Sequence, residues 1–228
     1  DGQWDHRVPT PNNNYLYLHI TDFGQRTTQE VEQAIAKANE TTGYDGIILD
    51  LRGNGGGLLL SAVSICDLFL DQAKVVEVQY RDETRNVTYS SDAAKTLDAT
   101  KPMVVLIDRD SASASEITAA CLQDHERAVV IGERSYGKGS VQDVVVLDTS
   151  GDNHAIKYTV AHYIRPSGRN IHRTKPVEQM LPEEDWGVQP NDGYTLTLDE
   201  PQRNAYLEDK RERFIIKAPM DNARPDGN

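Results

Sequence analysis

Residues 102–124 read PMVVLIDRDSASASEITAACLQD. The first half, Pro102 to Asp108, is a short apolar run of the kind that forms a strand buried on both faces. From about Ala114 to Gln123 the apolar residues fall at helical spacing. Ser111, Ser113 and Ser115 sit at the junction. A serine there lies at the end of a strand, beside the unpaired first N–H groups of a helix and the positive end of its dipole. Such groups stabilise the negative oxygen that develops in acyl transfer. The same residues also make ordinary helix N-caps, so the stretch alone leaves both readings open.

Outward from it, Gly46–Leu51 and Ala128–Ile131 are apolar runs of the same type. Helices are predicted from Thr27 or Thr28 to about Asn39 and from Leu59 to Leu70. Further strands are predicted at Tyr15–Ile20, Val75–Tyr80, Asn86–Tyr89, Val141–Leu147 and Ala155–Tyr163. Strands alternating with helices predict an α/β fold with right-handed crossovers. Residues 1–14 read as a loose lead-in, 15–215 as one core and 216–228 as a flexible tail. Within the core, residues 166–193 carry four prolines and read as a long loop held on the body, and Glu200–Arg213 reads as a charged helix.

Two glycine-rich stretches follow predicted strands. Residues 50–57, DLRGNGGG, present a loop whose backbone N–H groups can face an oxygen anion. The spacing is not the dinucleotide fingerprint. Residues 132–142, GERSYGKGSVQ, place Lys138 between two glycines. The P-loop pattern is not met, because Gly139 stands where Ser or Thr is needed. A lysine acting as a general base needs a neutral amine, hence burial among apolar groups, and the flanking glycines would let the backbone push the side chain inward. A surface loop is the plainer reading of the same residues.

Composition excludes several classes. There are 36 acidic and 24 basic residues, a formal charge of -12, and no basic block, so nucleic acid is not an expected partner. No apolar run reaches the 18 residues of a membrane span. Cys66 and Cys121 form no CxxC pair and read as buried thiols, not zinc ligands. None of the six histidines lies in a recognisable nucleophile–base arrangement, and His125 falls too far along the helix from Ser113. The chain opens on Asp1 without a visible signal peptide, and reads as a processed protein or an excised fragment.

Taken together, LDLRGNGGGLL, SASASEITAACLQD and GERSYGKGSVQ, in that order and followed by Tyr163–Arg169, resemble the carboxyl-terminal processing peptidases, or tail-specific proteases, over residues 15–178. The resemblance implies a serine endopeptidase acting through a Ser–Lys dyad and an acyl-enzyme. Ser113 would be the nucleophile and Lys138 the general base. Gln142 would orient the lysine, and the backbone N–H groups of Gly57 and Ala114 would form the oxyanion hole. It implies no metal or organic cofactor. It implies protein or peptide substrates with accessible carboxyl termini, and a place in the bacterial periplasm, the cell envelope or the chloroplast lumen. It also implies a crotonase- and Clp-protease-like superhelical β-β-α core with extra strands. The PDZ domain of many members has no counterpart here, as expected of an excised catalytic core. A non-catalytic protein-binding module, or a core inactive when isolated, is the alternative. A crotonase-like acyl-CoA enzyme is disfavoured, because CoA binding demands neither SASASE nor the lysine block.

Overall fold

The computed structural model describes residues 7–9, 14–41, 43–147, 154–181 and 184–214. The expected 216–228 tail and most of the lead-in lie outside these residues. Within the lead-in, Arg7–Pro9 forms a strand, β1. The chain continues through β2 (Asn14–His19), α1 (Thr27–Thr41), β3 (Gly46–Asp50), α2 (Leu59–Asp67), β4 (Lys74–Tyr80) and β5 (Val87–Ser90). It then forms β6 (Met103–Ile107), α3 (Ala114–Asp124), β7 (Val129–Gly132), β8 (Ser140–Leu147) and β9 (His154–Ile164). A last helix, α4 (Glu200–Phe214), belongs to a separate compact unit that begins at Leu196. It is capped by reciprocal hydrogen bonds between Asp199 and Gln202.

The strands form two sheets. One has the order β1-β2-β3-β6-β7, with β2, β3, β6 and β7 parallel and β1 antiparallel at the edge. The other has the order β5-β4-β9-β8 and is antiparallel throughout. This corrects the expected superhelical β-β-α core. Such a core repeats one turn of chain over and over. Here the second sheet is closed by β4 and β9, far apart in sequence, which pair through Glu77 with Ile164 and Tyr80 with Ala161.

Burial explains the apolar runs. Ile47, Leu49 and Leu51 around β3, and Val105 and Ile107 of β6, are at most 2% exposed. Parallel strands covered on both faces need such continuous apolar sequence. On α3 every residue from Ala114 to Leu122 is buried, since the helix packs on α2, β4 and β7. In the predicted loop over 166–193, Ile171, Trp186 and Val188 are buried, and Ser135 N–H donates to Val188 O at 3.0 Å. No helix among the described residues is long and apolar enough to cross a membrane.

Arg165, just past β9, is 2% exposed and fastens the antiparallel sheet to the end of α3. Its guanidinium holds both carboxylate oxygens of Asp124, at 2.9 and 2.6 Å, and also donates to Gln123 Oε1 at 2.8 Å. Burial raises the Asp124 carboxyl, but the bonds and charge of Arg165 outweigh it, so its pKa lies below the usual range. Removing one partner of such a pair strands the other charge. Arg165→Ala is expected to lose about 3–5 kcal/mol in denaturant unfolding. In a double-mutant cycle most of that loss should disappear when Asp124→Ala is already present.

Candidate active site

The three chemistry-bearing stretches follow β3, β6 and β7. These strands are adjacent and parallel, so all three loops leave the same, carboxyl, edge of one sheet. Open parallel sheets bind their ligands at that edge. Local hydrogen bonds then draw the loops together. Ser111 Oγ donates to Leu51 O at 2.8 Å, Ala112 N–H to Asn54 O at 3.0 Å, and Tyr136 N–H to Ser111 O at 2.9 Å.

Ser113 stands at the N-cap of α3 with φ +56° and ψ −113°. A non-glycine residue at positive φ is costly, and it persists only where its surroundings fix it. Glu116 supplies the fixing bond: its Oε2 accepts the Ser113 N–H at 2.8 Å, half of a capping box. The same oxygen accepts the Lys138 N–H at 2.7 Å. Oε1 accepts the Gly137 N–H and the Ser135 hydroxyl, both at 2.6 Å. Glu116 is 0% exposed. Burial pushes its carboxyl above the usual range, while the donors from Ser135, Gly137, Ser113 and Lys138 pull the other way. One carboxylate thus ties the serine loop to the lysine loop, and the backbone nitrogens of Ser113 and Lys138 share an acceptor atom.

The side chain of Lys138 does not meet the expectation of burial. Gly137 and Gly139 are the buried residues and Lys138 between them is exposed. A Cβ on Gly137 would lie 2.7 Å from Arg173 Cβ, and one on Gly139 would lie 2.3 Å from the His172 nitrogen. The glycines let the backbone turn inward, which aims the intervening side chain outward. Among the described residues no hydrogen bond joins Lys138 Nζ to Ser113 or Gln142. Gln142 lies exposed on β8, next to the register shift between Val141 and Gln142.

The glycine loop is set from β3. Asn54 is 0% exposed; its amide donates to Ile20 O at 2.7 Å and accepts the Gly56 N–H at 2.8 Å. Gly56 is the close neighbour of the serine: at φ +102°, a Cβ there would sit 2.8 Å from Ser113 Cβ and 2.9 Å from the Ala114 nitrogen. Phe23 bonds to either side of Gly57, receiving the Leu58 N–H at 2.7 Å and donating to Gly56 O at 3.0 Å. The N–H groups of Gly57 and of Ala114, the first residue of α3, have no acceptor among the described residues. Sequence reasoning named Gly57 and Ala114 but missed Glu116, Asn54 and Gly56. The Ser-x-x-Glu capping-box spacing over 113–116 was the one local signal that pointed to Glu116.

Among the described residues no hydrogen bond joins a histidine to Ser113. His125 caps the far end of α3, its Nε2 2.7 Å from Lys74 O. The rings of His162 and His172 meet at a 45° tilt with centroids 5.0 Å apart.

At the root of the glycine loop, Asp50 is 0% exposed. It accepts bonds from Arg52 Nε at 2.9 Å, from the Arg52 N–H at 3.0 Å and from the Tyr17 hydroxyl at 2.6 Å. Burial raises its carboxyl, but the hydrogen bonds and charge of Arg52 and the bond from Tyr17 prevail, so its pKa lies below the usual range. An acid depressed in the folded state adds stability above its unfolded pKa, near 4, and loses that contribution as pH falls through the folded value. Acid titration of the wild type should therefore show stability falling below about pH 4. Asp50→Asn should start less stable at neutral pH and show a shallower acid limb in unfolding curves.

The chain is similar to known peptidases over most of its length. The model of peptidase family S41 matches residues 14–190. The carboxy-terminal-processing protease of Bartonella bacilliformis is 38% identical over 224 residues, 91% of this chain and 49% of the relative. The carboxy-terminal processing protease CtpA of Bacillus subtilis is 39% identical over 175 residues, 75% of this chain and 36% of the relative. Among solved structures, a photosystem II D1 C-terminal processing protease superposes with a TM-score of 0.65 at 31% identity, covering 86% of this chain and 46% of that one. A putative S41 protease of Bacteroides fragilis shares the fold at a TM-score of 0.61 and 19% identity, covering 89% of this chain and 51% of that one. The fold is thus that of S41 peptidases, with two sheets, and not a crotonase-type superhelix. The chain spans about half the length, or less, of these relatives. With the family model covering most of its residues and the three loops gathered at one sheet edge, the chain belongs to peptidase family S41.

Proposed function

We propose that this chain is the catalytic core of a serine endopeptidase that cuts polypeptides near their carboxyl termini. The observation that carries the reading is the Glu116 carboxylate, which bonds the backbone of Ser113 and that of Lys138 at once. In this reading Ser113 Oγ attacks the scissile carbonyl and Lys138 Nζ takes its proton. The N–H groups of Gly57 and Ala114 receive the oxyanion. Collapse expels the leaving amine, which takes the Ser113 proton from Lys138, and water then hydrolyses the ester. Gln142, four residues beyond Lys138, orients the amine. The relatives named as carboxyl-terminal processing proteases support the substrate class, protein or peptide tails. An extracytoplasmic location accords with them, chloroplastic members among them, and we place the protein in the bacterial periplasm or cell envelope.

The exposed Lys138 favours one second reading, a core that is inactive by itself. A general base has to reach the serine, and among the described residues no hydrogen bond joins Lys138 Nζ to Ser113. A substrate chain, or another part of a longer parent protein, has to cover the lysine.

The test is cleavage of an unfolded protein with an apolar carboxyl terminus. Ser113→Ala and Lys138→Ala should each lose activity by on the order of 10³-fold or more while keeping the wild-type melting curve. Equal cleavage by Ser113→Ala would sink the nucleophile assignment. Absence of cleavage by all three proteins would favour the inactive core.

A further inference from the structure

β8 is the last strand of the antiparallel sheet, and among the described residues no strand pairs with its outer edge. Its far half is apolar on both faces. Val144, Val145, Val146 and Leu147 follow one another, so their side chains alternate between the two faces, and each is 43–62% exposed. Beside them on β9, Ile156 pairs with Val145 and Tyr158 with Asp143, and both are exposed as well. Open sheet edges are commonly blunted by several charges or a proline. Asp143 is the one charged residue of β8, and its Oδ1 accepts the Val144 N–H at 2.8 Å. That bond marks Val144 as a residue whose N–H faces away from β9. The carboxylate stands where the carbonyl of a further strand would stand.

We propose that the outer edge of β8, from Gln142 to Leu147, is a docking strand to which an apolar stretch of the polypeptide substrate adds in extended form. This docking rests on the peptidase reading above and states how the same site holds its substrate. β8 begins at Ser140, just after Lys138 and Gly139, so a chain lying along it is led to the lysine loop. A strand edge offers main-chain donors and acceptors, which fit an extended backbone and neither a helix nor a small molecule. The side chains of Val144–Leu147 then favour apolar residues in the guest. A second copy of this chain is the poorer occupant, because each copy carries a formal charge of -12 and two copies repel.

The sheet is antiparallel throughout, so the guest strand runs antiparallel to β8. Its amino-terminal side lies over Leu147 and its carboxyl-terminal side heads for Lys138. At about 3.3 Å per residue, Val144–Leu147 lie roughly 13–23 Å along the strand from Ser140, so the apolar stretch sits several residues ahead of the bond that is cut. Contacts so far from the reacting atoms are shared by the bound substrate and the transition state, and they act on KM and not on kcat. Asp143 competes with the guest for the Val144 N–H.

The probe is a fluorescein-labelled peptide, polar and unstructured except for one block of valine and leucine ahead of its carboxyl-terminal end. A control peptide carries serine throughout that block. Binding to the Ser113→Ala chain is followed by fluorescence anisotropy, so that cleavage does not intrude. The apolar peptide is expected to bind about 10-fold or more tightly than the control. In the same background two variants should each weaken it by about 5-fold or more. Val144→Pro removes an outward N–H and leaves the β9 ladder, and the double change Val144→Thr with Val146→Thr keeps β-branched side chains but not the apolar surface. Asp143→Ala should tighten binding by about 3-fold, because it frees the Val144 N–H. With Ser113 present, the same changes should move KM in the same sense and leave kcat in place. Unchanged affinity in the threonine variant, with its melting curve kept, overturns the docking strand even if the wild type cleaves. Loss of affinity there upholds it even if the wild type does not cleave, a result that counts against the peptidase reading alone. A dimer in sedimentation that Val144→Pro abolishes and the peptide does not displace gives the edge to a second copy and overturns the proposal.

Discussion

Glu116 has no exposed surface, and its two oxygens accept hydrogen bonds from four donors: the N–H groups of Ser113, Gly137 and Lys138 and the hydroxyl of Ser135. Burying a carboxylate is costly unless its lone pairs are filled, and here they are filled by groups that themselves need an acceptor. The interaction is mutual. The loop around Lys138 has little regular structure of its own, and the carboxylate holds its turn. Ser113 sits at a backbone angle that few residues adopt, and the same carboxylate retains it there. Ser135 extends the network by accepting the Val188 N–H at 2.7 Å, which brings in the long loop after β9. Around it, the Arg134 guanidinium covers the Trp186 ring at 3.9 Å and donates to Trp186 O and Glu184 O.

The parallel sheet makes such a hub achievable. Because β3, β6 and β7 are neighbours running the same way, the glycine loop, the serine junction and the lysine loop all emerge at one edge without long excursions. Asn54, Ser111 and Ser115 then stitch them through backbone carbonyls, with Ser115 Oγ donating to Asn54 O at 2.9 Å. Each of these short polar side chains is 0% exposed, and each replaces water lost when the loops closed together.

Much of this was legible in the amino-acid order. The apolar runs at 46–51 and 102–108 mark buried strands, and they are β3 and β6 inside the parallel sheet, while the run at 128–131 is β7 at its edge. Ser113 stood out only in company: its junction alone reads equally as a helix cap, and the glycine and lysine stretches beside it in sequence carry the resemblance. The partners of β4 and β9 were not legible: a strand's sequence records that one face is buried, not which distant strand it joins, and the expected superhelical core came from the family resemblance alone. Glu116 was not singled out in the sequence, because three of its four donors come from residues 135–138, which only the fold brings near. The expected burial of the Lys138 side chain failed for a related reason. Glycines state that the backbone approaches something closely, and here the things approached, Arg173 and His172, lie beyond β9.

Amide hydrogen exchange, read by NMR residue by residue, tests the role of Glu116 most directly, since it reports the bonds themselves and needs no substrate. Lys138 is an exposed loop residue whose N–H should nonetheless exchange slowly, together with those of Gly137 and Ser113. In Glu116→Gln all three should speed up as a group by about 10-fold or more while amides of β3 and β6 keep their protection. Fast exchange at Lys138 and Gly137 in the wild type, or protection unchanged by the substitution, would contradict a carboxylate that holds the serine and the lysine in one frame.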